Sequence, residues 1–305
     1  MLGTTAVIAA GFGGPLHPAL DTLSNFRLHL SIGLALLAAI WSLRCSRAPA
    51  LVFALIGFFG VASSSSGLPL PLARHHPAGA ETVHTAFVMN LLWNNRDIPA
   101  VMNKIAELEP DILLLTEYSE RWGLAIAQLS QRYPHQMQCP EWGRVGGSIT
   151  LSKFPLSGEN GNNRCGDYAS AGFAEFMVGE TPVTYGIVHL RWPWPASGPV
   201  QIDALEPVLS ELPDNVLVAG DFNSVTWSHA VKRFARMGGL AIVEGIGPTW
   251  GPSLTIAGRR FEWPPALGLP LDNAMAKGAV KIVSAKRLEP LGSDHLPILI
   301  EFVVE

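Results

Sequence analysis

Val216-Leu217-Val218-Ala219-Gly220-Asp221-Phe222-Asn223 decides how this chain is to be read. Four apolar residues read as a buried strand, and Gly-Asp-x-Asn turns out of it, leaving a carboxylate and an amide on a rigid strand end. A second junction of the same kind is Ser293-Asp294-His295, which opens directly into the apolar run Leu296–Val303. A carboxylate, an amide and a carboxylate/imidazole pair held on strand ends suit metal-assisted attack on phosphorus.

Working outward from these junctions gives four more polar residues at the edges of apolar runs. Asn90 closes the alternating run Thr82–Met89, and Glu117 closes Ile112-Leu113-Leu114-Leu115-Thr116. His189 closes Val183–Val188, and Asp272 follows Leu271. Each alone has a bland explanation. Gly-Asp after a strand is ordinary turn chemistry, Ser293-Asp294 alone reads as a helix cap, and a lone His189 reads as a satisfied core histidine. Glu117 resists that treatment, because an acid closing a buried strand is costly unless it is solvated or paired.

Taken in chain order, the pattern Asn, Glu, His, Asp-x-Asn, Asp, Asp-His resembles the endonuclease/exonuclease/phosphatase superfamily, which includes DNase I-like nucleases, inositol polyphosphate phosphatases and sphingomyelinases. The resemblance spans about residues 82 to 303. It includes Val88-Met89-Asn90-Leu91-Leu92 at its start and Gly147–Pro155 as its central strand and turn. The resemblance implies metal-dependent hydrolysis of a phosphoester by in-line attack of water. It implies that Glu117 and Asp294 ligate Mg²⁺ or Mn²⁺, with Asn90 completing the shell or holding the phosphate. It implies that Asp221 orients and deprotonates the water, and that Asn223 fixes Asp221 or the phosphate. His295 and His189 would then bond to phosphoryl oxygens, with Asp272 setting the tautomer of His295. No Cys-x-x-Cys, Gly-x-Ser-x-Gly elbow or P-loop competes.

Composition adds a membrane. Only 15% of the 305 residues are charged, against about 25% in typical soluble domains, and the mean hydropathy is positive. Phe26–Leu43 is almost wholly apolar from Leu28 onward, and Ala48–Ala62 is uncharged. Each lies near the lower limit of roughly 17–25 residues for a membrane-spanning helix. Met1–Gly14 is a third, shorter candidate, either signal-like or a clipped span. Arg44 and Arg47 mark a tight basic connection that belongs in the cytoplasm by the positive-inside rule, which places the chain beyond the second span outside. Leu20–Arg27 before a span also resembles the membrane-anchored bacterial branch of the same superfamily, implying three spans and an external catalytic domain.

The expected organisation is a membrane anchor over 1–65 with two or three transmembrane helices, a Ser/Pro-rich linker over 66–81, and a catalytic domain over 82–305. Ser63–Ser66 reads as flexible spacer. In the catalytic part, strands alternate with amphipathic helices: Asp97 caps one carrying Val101, Ile105 and Leu108, and Ile202, Leu205 and Leu209 mark another. The expected fold is α/β, a two-sheet β-sandwich flanked by helices. Cys139 and Cys165, the cysteines of that domain, read equally well as a disulfide or as two free thiols.

Residues 81–305 carry 17 Lys and Arg against 24 Asp and Glu, a net −7, whereas residues 1–80 carry 4 against 1, a net +3. An acidic domain begins without the phosphate attraction on which non-specific DNA binding rests, so nucleic acid is disfavoured as a partner. Trp192, Trp194, Trp227, Trp250 and Trp263 are placed to form an aromatic rim, and Arg191, Arg259 and Arg260 a local basic patch. The reading is therefore a hydrolase of a lipid or membrane-proximal phosphoester. An external metal-dependent nuclease is the alternative, and a membrane-tethered binding module with a decayed site is the alternative outside enzymes.

Overall fold

The structure, a computed structural model, describes residues 1–69, 82–140, 145–158, 160–167, 170–251, 253–256, 259–262 and 264–305. Two six-stranded sheets pack face to face. The first runs β13 (Val280–Arg287), β14 (Ile298–Val304), β1 (His84–Asn90), β2 (Ile112–Tyr118), β4 (Gly147–Ser152) and β3 (His135–Cys139). The second runs β5 (Arg164–Cys165), β6 (Ala171–Val178), β7 (Thr181–His189), β8 (Val216–Asp221), β12 (Asp272–Lys277) and β9 (Ala241–Ile242). A separate hairpin joins β10 (Ser253–Ile256) to β11 (Arg259–Glu262).

Strand alternation builds three apolar layers. On β1 and β2, Ala86, Val88, Ile112 and Leu114 face Tyr185, Ile187, Leu217 and Ala219 of the opposing sheet. Their neighbours Phe87, Met89, Leu113 and Leu115 point the other way, under Val101 and Ile105 of α5 (Ile98–Leu108) and Trp122 and Ile126 of α6 (Glu120–Ala127). Because both faces are covered, β2 is a continuous hydrophobic run, and β1, expected to alternate, is buried throughout from Ala86 to Asn90. On the far side, Ile202, Leu205 and Leu209 of α7 (Gly198–Ser210) and Val231 and Phe234 of α8 (His229–Gly238) cover Val188, Val216 and Val218. Asp97 accepts from Ala100 N at 3.3 Å, capping α5 as its sequence predicts. The Cys139–Cys165 disulfide is formed and joins β3 at the edge of one sheet to β5 at the edge of the other.

Ahead of the sandwich lie α1 (Leu2–Ala10), α2 (Pro18–Ser24), α3 (Arg27–Arg44) and α4 (Arg47–Ala62). Among the described residues, α3 is the one helix long and apolar enough to cross a membrane; α4 is apolar but shorter. At 1.5 Å per residue α3 is about 27 Å long and α1 about 14 Å, so α1 falls far short of the roughly 30 Å hydrocarbon core and lies against α3 and α4 instead. The basic connection is short: Arg44 ends α3 and Arg47 begins α4, with Cys45 and Ser46 between.

α3 and α4 close on small residues. A Cβ at Gly57 would lie 2.8 Å from Ser31 O, and one at Gly60 would strike Ser31 Oγ, so only glycine lets the two backbones approach this far. Outward, Leu36, Leu37, Ile40, Leu51, Leu55, Phe58 and Phe59 are all exposed, an apolar belt of the kind that marks a membrane or partner surface.

The spacer reading of Ser63–Ser66 is corrected. Ser64 is buried and its hydroxyl accepts from Arg27 Nε at 3.1 Å. Ser63 O accepts from Arg27 Nη2 at 3.2 Å, and Ser66 O accepts from Gly245 N at 2.9 Å. Serines that cap a helix end and meet a buried guanidinium are fixed in place, which composition alone does not show. The expected boundary near Glu81 lies outside the described residues.

Candidate active site

The candidate catalytic and metal-ligating residues of the sequence arrive at one edge of the sandwich, and strand direction explains how. β1 and β2 run parallel, as do β7 and β8, so Asn90, Glu117, His189 and Asp221 all sit at or near their C-terminal ends. β12 and β14 run antiparallel to β8 and β1, so their first residues come to the same edge. Asp272 is thus paired with Asp221, and His189 pairs with Asp221 from the other side.

Local backbone exceptions aim the side chains. Glu117 falls where the β2–β4 register shifts between Thr116 and Tyr118, and it holds φ +54°. A bulge in a left-handed conformation costs a non-glycine residue energy and redirects its side chain. Asn223 has φ +48°. Gly220 has φ +145°, and a Cβ there would strike Val188 O, so the glycine of the Gly-Asp turn is required by the close approach of β7.

Asn90 Nδ2 donates to Glu117 Oε1 at 3.0 Å and to Asp221 Oδ2 at 3.1 Å, joining the two sheets. Trp93 N donates to Glu117 Oε2 at 2.9 Å. Asn223 N donates to Asp221 Oδ1 at 2.8 Å, and Asn223 Nδ2 to Leu190 O at 2.8 Å. His189 Nε2 stands 3.7 Å from Asp221 Oδ2 and 3.8 Å from Glu117 Oε1. His295 Nδ1 lies 2.8 Å from Asp272 Oδ2, and its Nε2 lies 3.5 Å from Asp221 Oδ2.

Burial sets the charge states. It pushes the Asp221 carboxyl up to about 6, against the opposing pull of His295, and it pushes Glu117 up as well. Burial acts to lower His295, but Asp272 and Asp221 outweigh it and hold the imidazolium to about 10. His189 is lowered by burial despite Asp221, so it stands neutral beside a charged His295. Two imidazoles in opposite states and a carboxyl poised near neutrality are the groups that proton transfer at pH 7 requires.

The residues fit a hard divalent cation. Glu117 is a half-buried carboxylate, raised by desolvation and further by the charge of Asp294; two oxygen donors that repel each other suit Mg²⁺ or Mn²⁺. Asn90 Oδ1 accepts from Leu92 N at 3.0 Å while Nδ2 faces the carboxylates, so its amide braces Glu117. Asp221, Asp272 and His295 also bring donor atoms within 4.8 Å of one another, but His295 and Asp272 are already bonded to each other.

The supporting roles of four residues escape a reading of the sequence. Ser293 Oγ donates to Asn90 O at 2.8 Å and accepts from His295 N at 3.0 Å, tying the two sheet-one junctions together. Trp250 Nε1 donates to Asp294 Oδ2 at 3.1 Å, so this tryptophan holds a candidate ligand. Thr249 Oγ1 accepts from Asp272 N at 3.1 Å. Asn25 accepts from Val225 N, 3.1 Å away in the loop that follows Asp221. The serine adjoining Asp-His is the one available signal; the others are set by distant segments. The aromatic rim is corrected at Trp227, which is buried among Leu28, Leu269 and Leu271. Trp192 meets Trp250 edge to face and Trp194 is exposed, while Trp263 and the side chains of Arg259 and Arg260 lie outside the described residues.

The sequence model described as the Endonuclease/Exonuclease/phosphatase family matches residues 88–295. No curated protein sequence matches the chain. Among solved structures, an endonuclease/exonuclease/phosphatase from Bacteroides vulgatus superposes with TM-score 0.57 at 15% identity, covering 74% of this chain and 100% of that one. D. rerio TDP2 complexed with single-strand DNA product gives TM-score 0.56 at 16% identity over 73% of this chain and 99% of that one. ANGEL2, described as a 2′,3′-cyclic phosphatase, gives 0.53 at 14% identity over 74% and 96%. At these identities the likeness is one of fold.

Proposed function

The chain belongs to the endonuclease/exonuclease/phosphatase family, and from that premise we propose that it is a metal-dependent phosphoester hydrolase acting on a lipid or membrane-proximal phosphoester. The observation that carries this reading is the convergence of Asn90, Glu117, His189, Asp221, Asn223, Asp272, Asp294 and His295 at one sandwich edge, beside the ends of the two apolar helices. Leu28 of α3 and Val61 of α4 pack with Trp227, Leu269, Trp192 and Trp250 at that edge.

Glu117 and Asp294, with Asn90 beside them, would hold Mg²⁺ or Mn²⁺, which when bound neutralises charge on the phosphoryl oxygens. Asp221 orients a water for in-line attack and takes its proton as the new P–O bond forms and the ester P–O bond breaks. Asn223 fixes the Asp221 carboxylate. His295, charged and held by Asp272, donates to a phosphoryl oxygen, and neutral His189 donates to another. Stabilising that developing charge with preset donors is the main source of rate in such reactions.

The domain plan is an anchor over 1–65, a linker over 66–81 and a catalytic domain over 82–305. The anchor is an α3–α4 hairpin in the cytoplasmic membrane with Arg44 and Arg47 inside and the catalytic domain outside. The exposed apolar belt supports the membrane, the basic turn supports the orientation, and the Cys139–Cys165 disulfide supports an oxidising compartment. A secreted-side nuclease is the second reading, favoured by the fold shared with a DNA-processing enzyme and disfavoured by the net −7 of residues 81–305.

The test is the detergent-purified full chain on a panel of lysophospholipid, phosphodiester lipid, sugar phosphate and plasmid DNA at physiological salt, with and without a chelator. Lipid phosphoester turnover that a chelator abolishes and Mn²⁺ restores is expected. A higher kcat/KM on DNA reverses the two readings, and chelator-resistant hydrolysis removes the metal.

A further inference from the structure

The polar turn before the first apolar helix is docked into the back of the catalytic loop. Asp21, Ser24 and Asn25 are buried at 3%, 1% and 0% exposure, and their partners lie far away in sequence. Asn25 Oδ1 accepts from Val225 N at 3.1 Å, and its Nδ2 lies 3.5 Å from Asn223 O. Ser24 O accepts from Trp227 Nε1 at 2.9 Å. Asp21 caps α8 from outside, its carboxylate accepting from His229 N at 2.7 Å and Ala230 N at 2.9 Å. Thr22 Oγ1 both donates to Trp194 O and accepts from Trp194 N at 3.0 Å, on the loop that leaves His189.

Two loops leaving catalytic strands are therefore held by one stretch of the anchor. The loop at 222–228 is the more consequential, because Asn223 N and Nδ2 set the Asp221 carboxylate and Asn223 itself sits at φ +48°. The left-handed region is a minority conformation even for asparagine, and its surroundings hold it there. The backbone on its C-terminal side is gripped by Asn25.

We propose that Asn25 is a positioning residue for Asp221, acting through the backbone of residues 223–225, so that the membrane anchor is part of the catalytic framework and not a tether. This rests on the hydrolase reading above. A fully buried amide satisfied by a catalytic loop, with a neighbouring buried carboxyl capping the next helix, is an expensive arrangement for a segment whose only task is attachment.

The experiment uses the full chain in detergent with Mn²⁺ and bis(p-nitrophenyl) phosphate as probe, alongside amide exchange of the peptide covering 220–230. Asn25→Ala is expected to lower kcat at least tenfold with KM within twofold, and to speed exchange across 222–228 at least tenfold while β1 and β2 keep their protection. Asn25→Asp retains an acceptor facing Val225 N–H and is expected to lose less than threefold in kcat. If Asn25→Ala does not fold, Asn25→Ser, a smaller acceptor, is expected to show an intermediate kcat loss and the same local exchange. Native kcat in a folded Asn25→Ala, or exchange that rises uniformly through the sandwich, overturns the proposal. A wild-type chain inert on every phosphoester sinks the hydrolase reading instead, and the exchange pattern then decides whether Asn25 braces the loop.

Discussion

His295 and Asp272 meet across the sandwich. His295 leads into β14 of one sheet and Asp272 opens β12 of the other, yet His295 Nδ1 and Asp272 Oδ2 lie 2.8 Å apart with both residues buried. The pair works only while the two sheets keep their registers.

The charge on His295 is the first thing to measure. Its folded pKa is raised, to about 10, above the ordinary 6.5, because the acids outweigh burial. Its contribution to stability is therefore complete below about 6.5 and is lost as pH rises through about 10. In the metal-free chain, imidazole NMR should show His295 protonated through pH 8 and His189 neutral there. Asp272→Asn should bring the His295 transition down by more than one unit, and a neutral His295 in the wild type at pH 7.5 would refute the assignment.

Groups used in the transition state should fail hard when removed. Asp221→Ala and His295→Ala are each expected to lose at least about a hundredfold in turnover while remaining folded, measured by steady-state kinetics with circular dichroism as the control. Near-normal rates in either variant would move the catalytic centre elsewhere.

The disulfide should matter to stability and not to chemistry. It closes a loop of sequence separation 26, for which chain entropy gives about 3.5 kcal/mol, and it ties sheet edges apart from β8, which carries Asp221. Replacing both cysteines by serine should lower the denaturation midpoint accordingly and leave kcat within twofold; a large kcat loss would count against this division.

Topology is readable through one thiol. Cys45 is free and exposed in the turn between α3 and α4. In spheroplasts a membrane-impermeant maleimide should leave it unlabelled until the membrane is opened, while protease added outside should reach the catalytic domain. Labelling of sealed spheroplasts would invert the orientation.

Which residues gather at the site is legible in the chain alone. Asn90, Glu117, His189, Asp221, Asp272 and Asp294-His295 stand out because each adjoins an apolar run of strand length, and the period of the backbone forces such runs into a sheet. The helices over Val101–Leu108 and Ile202–Leu209 are equally plain from their spacing. How the strand ends find one another is settled only by folding. Strand direction is a property of pairing, so nothing local says that Asp272 begins its strand beside the end of β8. The same holds for the thiol pair, which becomes a bond only once β3 and β5 stand at facing edges. Ser63–Ser66 and Trp227 depart from their sequence reading for a related reason: polar and aromatic residues take their roles from whatever packs on them, here Arg27 and Leu28. Asn25 leaves no trace in the sequence at all, since a single amide next to an apolar helix gains its meaning from a loop 200 residues away.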